Sequence, residues 1–258
     1  GEIENTLWAW ETFGGIGART RRGFGALQCL DEKPYPSDLR EVKRLIAKRL
    51  PLESSRSPEL EELPILTPKL RFRVVGLYDR PTEAFNDPIS AWKDLIGGLN
   101  AFRQARHGGK FGLSKWPEAN EIRRLHGLQP KLPQGQPAPR PVRSFPRAAF
   151  GLPIVFHMPH DRAIEHDLTL EGEPVTAPKR QYDRLASRLI LRPLVCEGGR
   201  AVGLAAILDG PAQPPLGLRL KDAPSDPQVS MALNSTDASQ IEPLSGSADV
   251  LQAFLDWL

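Results

Sequence analysis

Residues 14–25, Gly14-Gly15-Ile16-Gly17-Ala18-Arg19-Thr20-Arg21-Arg22-Gly23-Phe24-Gly25, concentrate five glycines, three arginines and one aromatic side chain in twelve positions. A loop for a nucleoside triphosphate needs Lys and then Ser or Thr after its final glycine. Here Phe24 follows Gly23 and Ala26 follows Gly25, so that chemistry fails. A dinucleotide fingerprint needs a third small residue after Gly15-x-Gly17, and Thr20 stands there instead. What remains is a backbone that Gly15, Gly17 and Gly23 free to approach a polyanion, with Arg19, Arg21 and Arg22 to contact its phosphates. Phe24 can stack or wedge against a base. A purely structural turn is the alternative at this point.

A second set of candidates lies in a basic window. Between Gly98 and Arg147 ten basic residues stand against Glu118 and Glu121, a net of +8, whereas from Gly210 onward the balance is −4. A polarised chain of this kind suits a polyanion-binding face, although basic loops also serve solubility. Lys115, Trp116, Arg123 and Arg124 bring charge and an aromatic plane together at a helix start. Trp116-Pro117 has a plainer reading as proline at a first helical position with the indole packed beneath it. Arg147, between Pro146 and Phe150, suits either a phosphate or an acidic side chain.

Catalytic and metal chemistry find little support. His157, His160 and His166 could supply three ligands, but Met158-Pro159 interrupts any regular element that would align them. His107 and His126 are isolated. The pairs Asp161 with Glu165 and Asp79 with Glu83 stand at i, i+4 with no apolar pocket evident, which suggests exposed charge. No Ser-His-Asp or Cys-His motif is present. The expectation is therefore no catalytic residue, no metal, no cofactor and no small-molecule substrate.

The elements that must position these residues follow from periodicity. The opening run Leu7–Trp10 reads as an apolar strand or helix end, and Ala26–Leu30 as a short strand. Ser37 or Asp38 caps a helix over Leu39–Leu50, where Val42, Leu45, Ile46 and Leu50 recur at helical spacing. Residues 52–64 have linker composition. Alternation of Leu70, Phe72 and Val74 with Arg71 and Arg73 predicts a half-buried strand within Ile65–Leu77. Helices are predicted from Asp87 through Ala105, over Pro117–Leu125 and from about Ser247 to Leu258, with a proline-rich loop over Gln129–Pro146. Strands are expected at Leu152–Phe156, Leu168–Leu170, Arg184–Val195 and Ala201–Leu208, the last two joined as a hairpin through Glu197-Gly198-Gly199. The whole is an α+β pattern.

Composition sets the outer bounds. The chain has 258 residues, with 40% hydrophobic and 25% charged residues, which are ordinary globular values. No apolar stretch approaches the ~20 residues of a membrane helix. Cys29 and Cys196 lie far apart, which excludes a disulfide scaffold and suggests a reducing compartment, by default the cytoplasm. The sequence begins at Gly1 and enters directly on the apolar Leu7–Trp10 run, which needs earlier strands to bury Trp8 or Trp10. A further domain of roughly 100–150 residues before Gly1 is expected on that ground.

The stretch GGIGARTRRGFGAL, Gly14–Leu27, resembles the glycine-rich loop of the RAMP superfamily of CRISPR proteins. Three further segments, Ser114–Arg123 (SKWPEANEIR), Phe145–Ile154 (FPRAAFGLPI) and Arg184–Pro193 (RLASRLILRP), resemble segments of the first-subunit family of the type III-B effector, the Cmr complex. The pattern departs at Arg188, where a proline is expected. The resemblance implies tandem ferredoxin-like (RRM-like) RAMP domains. Residues 1–51 would be the end of a first domain carrying the glycine-rich loop, 52–64 a linker, and 65–258 a second domain. It further implies an RNA-binding structural subunit, not an enzyme. Its partners would be the 3′ region of CRISPR RNA, target RNA and other Cmr subunits. Two alternatives stay open: a RAMP-type endoribonuclease using His107 or His126, and a protein–protein adaptor without RNA contact.

Overall fold

The computed structural model describes residues 1–30, 33–50, 65–77, 80–109, 112–135, 140–159, 161–174, 184–210 and 216–258. The predicted linker 52–64 lies outside the described residues, as do Asp79 and His160.

The chain divides into two compact units, the first built from Gly1–Asn100, Arg188–Pro211 and Leu255–Leu258, the second from Ala101–Ser187 and Ala212–Phe254. Segments on both sides of 52–64 contribute to the core of the first unit.

In the first unit, helix α1 spans Glu2–Phe13. The opening apolar run is thus helical, and Trp8 is buried on one face of that helix rather than by strand pairing. Trp8 is 2% exposed, while Trp10, on another face, is 46% exposed. Helix α2, Leu39–Arg49, starts where predicted, with the Asp38 side chain accepting from Glu41 N at 2.9 Å. Strand β1, Arg71–Val75, is followed by helix α3, Pro88–Arg103. The predicted hairpin forms from β4, Leu189–Val195, and β5, Ala201–Ile207, as an antiparallel pair. The sheet order is β1-β5-β4, all antiparallel. The β1-α3-β4-β5 path therefore gives three strands in the order expected of a ferredoxin-like βαββ half.

Strand β5 is buried along its whole length. On one face Val202, Leu204 and Ala206 join Ile190 and Leu194 of β4, Trp8 and Phe13 of α1, and Val42 and Ile46 of α2 in one cluster. The other face receives α3, and there β5 offers Ala201, Gly203 and Ala205, small residues that let the helix come close. A Cβ on Gly203 would stand 2.6 Å from Val75 Cγ2 and 3.0 Å from Leu95 Cγ.

The second unit occupies the sequence between α3 and β4 and continues after β5. It contains helix α4, Glu118–Leu125, and strands β2, Ile154–Phe156, and β3, Leu168–Pro174. After β5 come β6, Leu216–Lys221, β7, Gln228–Val229, and the short helix α5, Ser235–Ser239. Its sheet runs β2-β3-β6-β7, again antiparallel. Ile122, Phe145, Phe156, Leu168, Leu170, Leu218 and Leu220 form its core. Helix α6 covers Val250–Trp257. The predicted strand at Ala26–Leu30 is absent; the chain there is irregular and bonds to side chains rather than to a ladder. Among the described residues no helix is long and apolar enough to cross a membrane.

Gly203→Ala is expected to lower unfolding stability by about 1–3 kcal/mol through overpacking of α3 against β5, read from urea denaturation.

Candidate nucleic-acid interface

The glycine-rich loop begins where α1 stops. Gly14 N donates to Trp10 O at 2.8 Å, and Ile16 N donates to Gly25 O at 3.0 Å, which closes the base of the loop. Between them Arg19 adopts a left-handed conformation at φ 61°, and Thr20–Arg22 form a short 3-10 turn ending in Gly23 at φ 81°. Two glycines are required here by space as well as by φ. A Cβ on Gly25 would lie 1.8 Å from Ile16 O, and one on Gly23 would lie 2.9 Å from Trp92 Cδ1 and 3.1 Å from Leu191 O. Gly23 is the point at which the loop lies against the edge strand β4.

Side chains then fix the loop to the first unit. Trp92 of α3 donates from Nε1 to Arg22 O at 2.8 Å. Arg192 of β4 donates from Nη2 to Leu27 O at 3.1 Å. Cys29 N donates to Glu11 Oε1 at 2.7 Å. Arg192 is fully buried, and among the described residues its Nε and Nη1 have no hydrogen-bond partner. Burial pushes its guanidinium down to about 10, opposed chiefly by the charge of Glu11.

The residues that the sequence singled out in the loop differ in exposure. Arg19 and the open Gly17 are exposed, Gly15, Arg21 and Arg22 are half-buried, and burial lowers the Arg21 guanidinium from its ordinary value. Phe24 is 44% exposed and meets the Trp92 ring edge-on, with centroids 5.2 Å apart. The ring is thus held on one side while area remains exposed.

The second set belongs to the second unit, where most of these side chains are already engaged. Trp116 is 2% exposed, donates from Nε1 to Phe102 O at 3.0 Å and packs edge-on against the Phe102 ring, so it offers no plane to a ligand. Arg123 is buried and donates to both carboxylate oxygens of buried Asp161, from Nη2 at 2.9 Å and from Nε at 3.1 and 3.3 Å. Lys131 Nζ meets the same carboxylate at 2.7 Å. Asp161 is therefore the centre of an ion cluster and not the exposed charge its spacing to Glu165 suggested. Arg147 pairs at 3.1 Å with Glu118, which is fully buried, and also donates to Arg103 O at 3.1 Å; this is the acidic-partner alternative rather than a phosphate contact. Arg124 makes a two-pronged pair with Glu121, and Lys115 is held by Glu242. Burying Arg123 or Arg147 without its acid would be costly, which explains why Asp161 and Glu118 lie inside.

Among the described residues no group of three or more His, Cys, Asp and Glu side chains could hold a metal ion. His126 closes α4, its Nδ1 2.9 Å from Ile122 O, and His107 Nδ1 lies 3.9 Å from Glu242.

Sequence reasoning missed Trp92, Arg192 and Glu11, the residues that hold the loop. Arg192 carried a readable signal, since a lone charge inside the apolar run Leu189–Val195 of a buried strand demands a partner. The bonds from Trp92 and Glu11 leave no such mark.

The family model of the RAMP superfamily matches residues 1–28, which cover α1 and the glycine-rich loop. No curated protein and no solved structure matches the chain. Over that stretch the chain is similar to the RAMP superfamily. The α+β architecture with antiparallel sheets is consistent with a RAMP ferredoxin-like fold.

The ion cluster of the second unit sets a pH dependence. Burial acts to raise the Asp161 carboxyl, but hydrogen bonds from Arg123 and Lys131 and their charges outweigh it and hold the group below its ordinary value. A carboxyl depressed on folding stabilises the fold above its unfolded value, ~3.9, and loses that contribution as pH falls through the lower folded value. Asp161→Asn is expected to destabilise the protein by about 3 kcal/mol at neutral pH. It should also flatten the acid limb of stability, measured by denaturation across about pH 2–5.

Proposed function

We propose that this chain is an RNA-binding, non-catalytic subunit of a type III-B (Cmr) CRISPR ribonucleoprotein, contacting the 3′ region of CRISPR RNA, target RNA or both. In this reading it works in the cytoplasm beside other Cmr subunits and is built on ferredoxin-like domains in tandem. The observation that carries the reading is the glycine-rich loop. It lies within the stretch matched by the RAMP model, is tied at Arg22, Leu27 and Cys29 to the body of the first unit, and carries the exposed Arg19 and Phe24.

The chemistry is electrostatic and sequence-tolerant. A loop already fixed by its own hydrogen bonds loses little conformational entropy on binding. Arg19, Arg21 and Arg22 supply charge-assisted hydrogen bonds to phosphates, and Phe24 supplies an aromatic surface that any base can meet. No proton transfer or nucleophile is invoked.

Replacing Arg19, Arg21 and Arg22 together with Ala is expected to weaken single-stranded RNA binding alike across sequences. It should also reduce the slope of log K against log salt by about 0.7 for each phosphate that is no longer neutralised. An unchanged slope contradicts a phosphate role. The purified chain is expected to leave RNA intact with and without divalent ions; specific cleavage abolished by His107→Ala or His126→Ala would instead favour the endoribonuclease.

A further inference from the structure

A cleft of about 490 Å³ opens in the first unit between α1, α2 and the end of β4. Its wall is held firmly. Tyr35 N donates to Val195 O at 3.3 Å and Glu197 N donates to Tyr35 O at 2.8 Å, which fastens the segment around Tyr35 to the end of β4. The Tyr35 hydroxyl accepts from Trp8 Nε1 at 2.9 Å and lies 3.1 Å from Thr12 Oγ1, so the half-buried ring is fixed at both ends. Burial pushes the phenol up, so it brings no negative charge to the cleft at neutral pH.

Lys33, Lys48 and Arg49 line this cleft and all three are exposed. The Arg49 guanidinium lies over the Trp8 ring, 5.4 Å from its centroid. No ion pair among the described residues involves Lys33 or Lys48. Of the two lining carboxylates, Glu11 already accepts from Cys29 N, and Glu197 is exposed. The cleft of the second unit, about 510 Å³, differs in this respect: its Lys115, Arg124 and Lys131 each face an acidic partner. Two lysines outside the ion pairs of the described residues, beside an aromatic wall and in a volume suited to one small ligand, fit a nucleoside phosphate.

Position favours the same occupant. Leu27, Gln28 and Cys29, the outgoing end of the glycine-rich loop, form part of the cleft wall. A strand whose phosphates meet the loop arginines therefore has this cleft as its neighbour along the surface of the same unit.

We propose that the cleft takes one unstacked nucleotide of the single-stranded RNA that crosses the glycine-rich loop, with its phosphate among Lys33, Lys48 and Arg49 and its base against Tyr35. The inference rests on the proposed RNA contact at the loop and extends it to a second contact.

The test uses the whole chain with a short single-stranded RNA carrying thiouridine at successive positions, photo-cross-linked and mapped by mass spectrometry, alongside the charge reversal Lys33→Glu with Lys48→Glu. Both lysines are exposed, and circular dichroism and gel filtration confirm folding of the variant. Expected are cross-links to residues 33–49 in addition to the loop. The variant should bind about ten-fold or more weakly and show a salt slope lower by about 0.7–1.4. Free uridine monophosphate should compete only weakly, because the strand and not the mononucleotide is the ligand. Cross-links confined to 14–25, with an unchanged slope in the variant, overturn the cleft while leaving the loop contact standing. Absence of RNA binding by the wild-type chain overturns both.

Discussion

A single buried guanidinium ties the glycine-rich loop to the body of the first unit. Arg192 stands between Ile190 and Leu194 on the face of β4 that α1 and α2 cover, with no exposed surface. Taking such an ion out of water costs several kcal/mol even after relaxation, and among the described residues only one of its three nitrogens has a hydrogen-bond partner. Glu11 offsets part of that cost through its charge. The partner is not an acid but Leu27 O, at the end of the glycine-rich loop. The charge is thus a poor way to stabilise a strand and a good way to hold a loop in one place.

Around that clamp the other features become intelligible. Trp92 holds the loop from α3, on the opposite face of the sheet, and Glu11 holds it from α1. The loop crosses the edge strand β4 at Gly23, where no side chain fits, and so covers an edge that would otherwise be open to strand pairing. Pro193, which cannot donate to a ladder, is tolerated on that same edge strand. The glycines are therefore needed for close approach to protein as much as for approach to a ligand. The exposed Arg19 and Phe24 are held on a scaffold and not on a free hinge.

Much of this was legible in the sequence where the signal is local. The Asp38 cap and the spacing of Val42 and Ile46 give α2, the alternation around Phe72 gives β1, and Gly198-Gly199 marks the β4–β5 turn. The loop itself was legible because glycine and arginine at that density have few other uses. Long-range pairing was not legible. The basic window looked like a polyanion-binding face because charge counting sees sign and not partners. The acids that neutralise Arg123 and Arg147 lie 38 and 29 residues away in the chain. Trp116 is packed as in the plainer alternative, but against Phe102, and Pro117 stands at the N-cap rather than at the first helical position. The 26–30 segment resembled a strand in composition, but its backbone bonds go to Arg192 and Glu11, and no period of two announces a side-chain tether.

Arg192 thus serves the position of the loop rather than the stability of the fold, and Arg192→Met separates the two roles. A methionine fills similar volume without a buried charge, so folding stability should be unchanged or raised. The measurement is equilibrium binding of single-stranded RNA to the folded variant. Affinity should fall about ten-fold or more at an unchanged or higher melting temperature. Wild-type affinity in a folded Arg192→Met protein would contradict the clamp.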